Sequence, residues 1–486
     1  MIFGAAIVIA VCAGISIAIE DYWLLWLGGG TVILIGLLIT PGYSPLLVVG
    51  LLIPFSLPLP LIWNLPVLTI VLGICIVKYW FERGLTIHRH STPLSTMNWS
   101  CGLFFGWVLI RYCINPSIPN FMGFGRNVTG FRSWLNYALS LGVLFFMGRF
   151  VGNRQGLLKL IRWLVIVSVF FSVLLLAAAF SGSMQVAMIL SYLGMVPGSF
   201  DNGMLRFVGL PAFGVILLSV LLLPNLLKVN RLGWWIILFI GSAAVVVGGN
   251  RSGFGIAIIV VTVILLLRSK FLACAAVFGT IVVVCAGVYL AGPFLAGLPH
   301  TGVLRMFALV SPELAEATGG DNSLEWREVL WQRAEEEIGK HPLVGQGYTG
   351  VENGLELDHV RTMEETEELT LATGGIHDGY LASALALGIP AAILFIFILG
   401  HQIFLNARRG YRLQKEDSVI AEAHCFVCAN LLGYAAAIFI GSDLNAPMIW
   451  FAFALGLFLF QLRPTEKRHP KTTTSVARPV LAEQIA

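Results

Sequence analysis

Charged side chains are scarce in this chain. Asp, Glu, Lys and Arg account for 12% of its 486 residues, where a soluble protein carries about 25%. That shortage excludes an ordinary water-soluble fold. The strict alternation of a membrane β-barrel is missing as well. What is abundant is apolar: 57% of the residues are hydrophobic, and runs of roughly 20 such residues, long enough to cross a bilayer, recur from end to end. A bilayer core offers backbone groups no water, so the spanning element is the helix. The sequence predicts an all-α polytopic integral membrane protein with about 12–14 transmembrane helices and one large outer, periplasmic loop that contains helices.

Fourteen candidate spans are read at 2–19, 22–39, 44–57, 65–81, 98–114, 131–149, 159–180, 203–224, 233–249, 252–268, 270–292, 378–400, 418–441 and 444–462. The third is short and holds Pro45 and Pro54. Alternate loops then fall on alternate sides. One set, 78–97, 149–163, 225–232, 268–270, 401–417 and 463–486, holds 20 of the 30 Lys and Arg. The positive-inside rule assigns that set, and both termini, to the cytoplasm. The chain divides into N-terminal membrane spans at 1–296, an outer loop at 297–376, C-terminal spans at 377–462 and a polar, Pro/Thr-rich tail at 463–486, expected to be disordered.

Other absences narrow the function. No span has a central acid: Glu20, Asp21, Glu82, Glu422 and Asp443 all lie near span ends. Ion-coupled carriers usually place carboxylates near the midplane, and no clear internal repeat is visible. A secondary transporter is therefore the weaker alternative. The eight cysteines all fall in or at the ends of spans, so no disulfide framework is implied for the outer loop. The Cys425–Cys428 pair reads as two small hydrophobes in an apolar helix. The N-terminus lacks the basic region of a cleavable signal, and 2–19 is read as a permanent span. No compact Asp-x-Asp cluster sits near the outer helix mouths, so no metal or cofactor is expected, and nothing implies a nucleic-acid partner.

The outer loop is 80 residues long, with fifteen Asp and Glu against five Lys and Arg. Loops of that size are usually functional or disordered. Part of this one reads as folded. Asn322 with Glu325 three residues on is a helix-capping signal. Leu324, Arg327, Trp331, Ala334 and Ile338 then share one helical face. Pro342 and Gly345 end that helix. Farther on, 351–371 reads as a second, acidic segment.

The short outer loops and span ends carry Arg111, Arg126, Arg132, Arg206 and Arg251, and no Lys. Arginine offers a planar, permanently charged fork suited to phosphate, and each of these also fits simple snorkelling to lipid headgroups. Arg251 stands out. It lies in GGNRSGFGIAI, at the N-terminus of a span, where the helix dipole favours an anion and a cation is costly without one. Arg327 stands out too, because it shares an apolar face; a salt bridge to a neighbouring Glu is the competing reading. His377 and Asp378 open the span at 378–400. Asp378 fits a helix cap, and His377 fits either an interfacial anchor or a general base. His341 is either a second polar group of the site or a helix C-terminal cap.

Three stretches together resemble the O-antigen ligase and O-antigen polymerase superfamily of polytopic membrane glycosyltransferases, often called Wzy_C after their C-terminal domain. They are GGNRSGFGIAI, WREVLWQRAEEEIGKHPLVGQGY and IHDGYLASALALGIPAAILF. The first looks like the family's outward Arg-Ser at a helix head. The second is similar to its Arg-bearing loop helix followed by His-Pro-Leu and two spaced glycines. The third resembles its His-Asn-x-Tyr-Leu helix, with Asp378 where the family often has Asn. The resemblance covers roughly residues 200–440, and Arg206 in LRFVGLP is the family's arginine near a central span.

The resemblance implies transfer of a glycan from an undecaprenyl-pyrophosphate carrier to an acceptor hydroxyl, at the outer face of the bacterial inner membrane. The partners it implies are that lipid-linked donor, a glycan or lipid-linked acceptor, and membrane lipids. Arg251, Arg327 and Arg206 would bind the donor, with His341 and Asp378 as further substrate contacts, and His377 would be the base. A shape-and-division-type cell-wall polymerase, with Asp378 or Asp443 as its carboxylate, is a further alternative.

Overall fold

The computed structural model describes residues 43–52, 56–57, 65–85, 99–114, 129–181, 183, 185–186, 197–201, 204–207, 209–248, 251–297, 307, 310–317, 322–348, 376, 378–440 and 446–462. The expected spans 2–19 and 22–39, the acidic segment 351–371 and the tail lie outside them.

The described residues are overwhelmingly helical. In chain order the elements are α1 (Ser44–Leu52), β1 (Ser56–Leu57), β2 (Leu65–Pro66), α2 (Val67–Leu85), α3 (Trp99–Ile114), α4 (Thr129–Val151), α5 (Arg154–Ser181), β3 (Pro197–Asp201), β4 (Met204–Phe207), α6 (Leu210–Leu221) and α7 (Arg231–Val247). There follow α8 (Arg251–Leu267), α9 (Phe271–Ala296), α10 (Pro312–Ala317), α11 (Asn322–Lys340), α12 (Gly379–Leu387), α13 (Ile389–Leu413), α14 (Ser418–Ile440) and α15 (Pro447–Leu459). Five of these contain stretches long and apolar enough to cross a bilayer: Ser133–Val151, Arg154–Ser181, Phe271–Ala296, Ile389–Leu413 and Ser418–Ile440. Shorter apolar helices fill the remaining expected spans from 65 onward. The chain is an all-α polytopic membrane protein.

Three expected spans need correction. In the run 44–57, Ser44–Leu52 is helix, and Ser56–Leu57 is a strand that pairs antiparallel with Leu65–Pro66. In 203–224, Met204–Phe207 is a strand paired with Pro197–Asp201, and the helix starts at Leu210. The run 378–400 is two helices, α12 and α13, separated at Gly388, whose φ is +90°. The second of them runs on to Leu413, so most of the expected inner loop 401–417 is helix.

Aromatic rings fill the core. Trp450 of α15 is fully buried, with Phe105 of α3 at 4.6 Å, Phe453 at 5.2 Å, Phe104 at 5.3 Å and Phe395 of α13 at 5.7 Å between ring centroids. Elsewhere small residues set the spacing. A Cβ on Gly214 of α6 would come within 2.6 Å of the Gly241 carbonyl of α7; small residues allow such close approach in membrane bundles. By contrast α9 is peripheral, with Leu272 and Leu290 86% and 80% exposed.

Among the described residues, the basic segments around 154, 225, 268 and 417 meet at one end of the bundle. Glu422 accepts from the backbone N–H and side-chain amide of Asn225, both at 2.7 Å, and pairs with Arg268 at 3.4 Å. Asp417 pairs with Arg154 at 3.2 Å. Gln414 donates to the Leu267 carbonyl. Glu422 is thus part of a terminal tie between helices.

Candidate active site at the head of a short helix

The opposite end of the bundle gathers the sequence-predicted site. Gly379–Leu387 forms a helix because Asp378 caps it: its Oδ1 accepts from the N–H groups of Tyr380 and Leu381 at 2.9 and 3.0 Å. Capping of this kind satisfies helix-end donors that otherwise have no partner. Asn caps as well as Asp does, so the departure at Asp378 preserves this contact. Residue 377 itself lies outside the described residues, between two that are fixed. The carbonyl of the buried Ile376 accepts from Trp331 Nε1 at 3.1 Å. At the second residue of α12, the Tyr380 hydroxyl donates to the Ala435 carbonyl of α14 at 3.1 Å.

Arg251 is the first residue of α8, as the sequence predicts. Its helix runs along the same part of α14. A Cβ on Gly433 would meet Val260 and Ile256 of α8 at 2.7 and 3.2 Å. The middle of α8 and the head of α12 therefore flank residues 433–435 of α14. Arg206 lies in β4, its backbone opposite Ser199 of β3. That ribbon leads into Pro211 of α6, against which Gly248 packs so closely that a Cβ would sit 2.5 Å away. Arg206 and Arg251 thus enter the bundle at the same end.

Arg327 comes from the outer loop. Its helix, α11, runs in the same direction as α12. Ile338 packs with Ala384 and Leu385 near the foot of α12, whereas Ala334 packs with Ile376 and Ala382 near its head. Trp331 reaches Ile376, and Arg327 lies one helical turn farther toward the head, roughly 6 Å along the axis. It is half-buried, and among the described residues it makes no ion pair. The buried stripe of α11 is Leu330, Ala334 and Ile338; Leu330 is one residue off the face read from the sequence.

His341 is placed elsewhere. It is exposed, and the next residue, Pro342, accepts from the Ile389 N–H beyond the foot of α12. A nine-residue helix is about 13 Å long, so the structure does not bring His341 to the head of α12. It stands where the alternative reading put it, just past the end of its helix.

Sequence reasoning passed over Trp107 and read Arg111, one turn on along α3, as an outward arginine suited to snorkelling. Trp107 Nε1 donates to the Leu387 carbonyl at 2.8 Å, and Arg111 Nη2 to the Gly345 carbonyl at 2.9 Å. Arg111 is only 3% exposed, so it is no snorkelling side chain. An available signal for the break was Gly388-Ile389-Pro390 in mid-run, since proline is favoured in a first helical turn.

Arg251 at the start of α8 and Arg327 of α11 are cations of the kind that suit an anionic group on a lipid. No curated protein matches the chain. A family model described as O-antigen ligase (Wzy_C) matches residues 236–396, a stretch running from α7 to α13 that includes Arg251, Arg327 and Asp378. The resemblance carried by the three motifs thus extends to a family model, and the chain is a polytopic membrane protein similar, over residues 236–396, to the O-antigen ligase family.

Proposed function

We propose that this protein transfers a glycan from an undecaprenyl-pyrophosphate carrier to an acceptor hydroxyl at the outer face of the bacterial inner membrane. The family match supports glycan transfer in O-antigen assembly. The reaction is an inverting displacement: the acceptor oxygen attacks the anomeric carbon, and the lipid pyrophosphate leaves. Arg251 and Arg327 stabilise the charge that develops on that leaving group. His377 removes the acceptor's proton. The apolar helices beneath hold the polyprenyl chain. The same chemistry serves a polymerase or a ligase, which differ only in the acceptor.

The observation that supports this reading is that α8, which begins at Arg251, and α12, capped by Asp378, both pack against α14, while α11 with Arg327 lies along α12. Arginine-to-lysine exchange tests it. Lysine keeps the charge and loses the two-pronged fork. Arg251→Lys and Arg327→Lys are each expected to slow transfer by roughly tenfold or more, measured with purified protein and lipid-linked glycan. Full activity in both would remove the phosphate role.

The proposed orientation puts both termini in the cytoplasm and 297–376 outside. Cys113 is exposed, so labelling starts from a Cys113→Ser background. A Val360→Cys variant should react with an impermeant thiol reagent added from outside. A Lys415→Cys variant should react only after permeabilisation. The reverse pattern would invert the topology and remove the outer-face assignment.

A further inference from the structure

The break at Gly388 interrupts an apolar run at a point where membrane proteins rarely leave backbone groups bare. The last four carbonyls of any helix lack partners within it. Here all four are taken. The Ala384 carbonyl accepts from Gly388 N–H at 2.9 Å, Leu385 from Gln346 N–H at 2.7 Å and Ala386 from Gly347 N–H at 3.0 Å. Leu387 accepts from Trp107 Nε1 at 2.8 Å. On the far side of the break, Ile389 N–H donates to the Pro342 carbonyl at 2.8 Å. The loop 341–347, the family's His-Pro-Leu and glycine signature, is therefore a splint laid along the break.

The splint has one pivot. Gly345 turns with φ +65°, so close to α12 that a Cβ would sit 2.6 Å from the Ala386 carbonyl carbon and the Gly388 nitrogen. The carbonyl of this glycine is held by the buried guanidinium of Arg111. Arg111 thus ties α3 to the splint, and the splint ties the foot of α12. A helix of nine residues moves as a rod, so whatever fixes its foot also fixes the direction of its head. That head carries residues 377 and 378.

We propose that Arg111 is a positioning residue: through the Gly345 carbonyl it clamps the loop 341–347 into the break at Gly388 and so holds the head of α12 in register with Arg251 and Arg327. Trp107 does the same through the Leu387 carbonyl. Neither touches substrate. The effect on turnover rests on the glycan-transfer reading above; the clamp itself does not.

Two measurements on the full-length protein test this. Arg111→Met keeps an apolar stem and loses the donor. It should lower kcat about 10- to 100-fold, the usual consequence of small misplacement of reacting groups, with donor KM within about twofold. Arg111→Lys can still donate to Gly345 and should recover most of that loss. If Arg111→Met does not fold, Trp107→Phe keeps the ring, loses only its N–H, and should lower kcat in the same pattern. Amide hydrogen exchange provides the second measurement. In either variant, exchange should accelerate at least about fivefold at residues 345–347 and 385–389, and stay unchanged within α8. An unchanged kcat, or a raised KM at unchanged kcat, would overturn the positioning role. Unchanged exchange would overturn the clamp. A wild-type protein that turned over no lipid-linked glycan would overturn the transfer reading, and exchange would then decide the clamp by itself.

Discussion

Replacing His377 by Ala is expected to leave a folded protein that transfers glycan about 10²–10⁴ times more slowly, the usual loss for a missing general base. The two halves of that expectation have separate grounds. Folding survives because the neighbours do the anchoring: Ile376 through its carbonyl to Trp331, Asp378 through its cap, and Tyr380 through its hydroxyl to Ala435. Rate falls because an acceptor hydroxyl is a poor nucleophile until its proton is taken, and among the residues at this helix head imidazole is the side chain best suited to take it near neutral pH. The adjacent position provides the control. Asp378→Asn keeps an oxygen for the cap and should turn over and melt like wild type. Asp378→Ala removes the cap, which costs about 1 kcal/mol, and should lower the melting temperature first and the rate only as a consequence. Purified proteins assayed for transfer and thermal unfolding separate these outcomes. A wild-type rate for His377→Ala across about pH 6–8 would leave the histidine as an interfacial anchor.

Much of this arrangement is legible in the chain because the forces that create it are local. An apolar run must become a helix in hydrocarbon, so most of the described spans fall where the composition puts them. The loop helix α11 is legible for a similar reason: it begins at Asn322, where the sequence signals a helix start, a 3.6-residue period faces it inward, and Pro342 and Gly345 follow its end. Arg251 at a helix head follows from two spans with almost no loop between them. The rest depends on distant partners. The run 378–400 has the length and composition of one span, and nothing within it shows that a loop 40 residues upstream will take up its freed carbonyls. Arg111 has the position of a snorkelling arginine. Only the fold shows that the Gly345 carbonyl waits for it inside. The strand at Met204–Phe207 is hidden likewise, because its partner, Pro197–Asp201, is what makes it a strand. The family signature at 341–347 suggested substrate contact for His341; in the structure that signature is chiefly a device for ending a helix in the right place.

Gly388 is where that device is least tolerant, and Gly388→Ala is expected to be severely damaging for so conservative a change. Its φ of 90° and ψ of 159° fall in a region that side chains other than hydrogen essentially never occupy, at a cost of about 1–3 kcal/mol. Strain is only part of it. A Cβ at this position would lie 2.2 Å from the Leu343 carbonyl oxygen and 2.6 Å from its carbon, both backbone atoms of the splint, so no side-chain rotation can relieve the clash. The chain has two ways out, and each costs more contacts. It can expel the loop, which leaves the carbonyls of Leu385 and Ala386 without their donors. It can also straighten into one helix from 379 to 413, which rotates α12 off α11 and Tyr380 off Ala435. A loss of roughly 3 kcal/mol or more is expected, read as a lower unfolding temperature or a smaller folded fraction after extraction, together with loss of transfer. Gly400→Ala is the matched control. It lies in the interior of α13 with nothing within 4 Å of a new Cβ, and alanine is the better helix former there, so that variant should be at least as stable as wild type. If Gly388→Ala instead melts and turns over like Gly400→Ala, the separation of α12 from α13 is dispensable, and the head of α12 owes its place to the bundle alone.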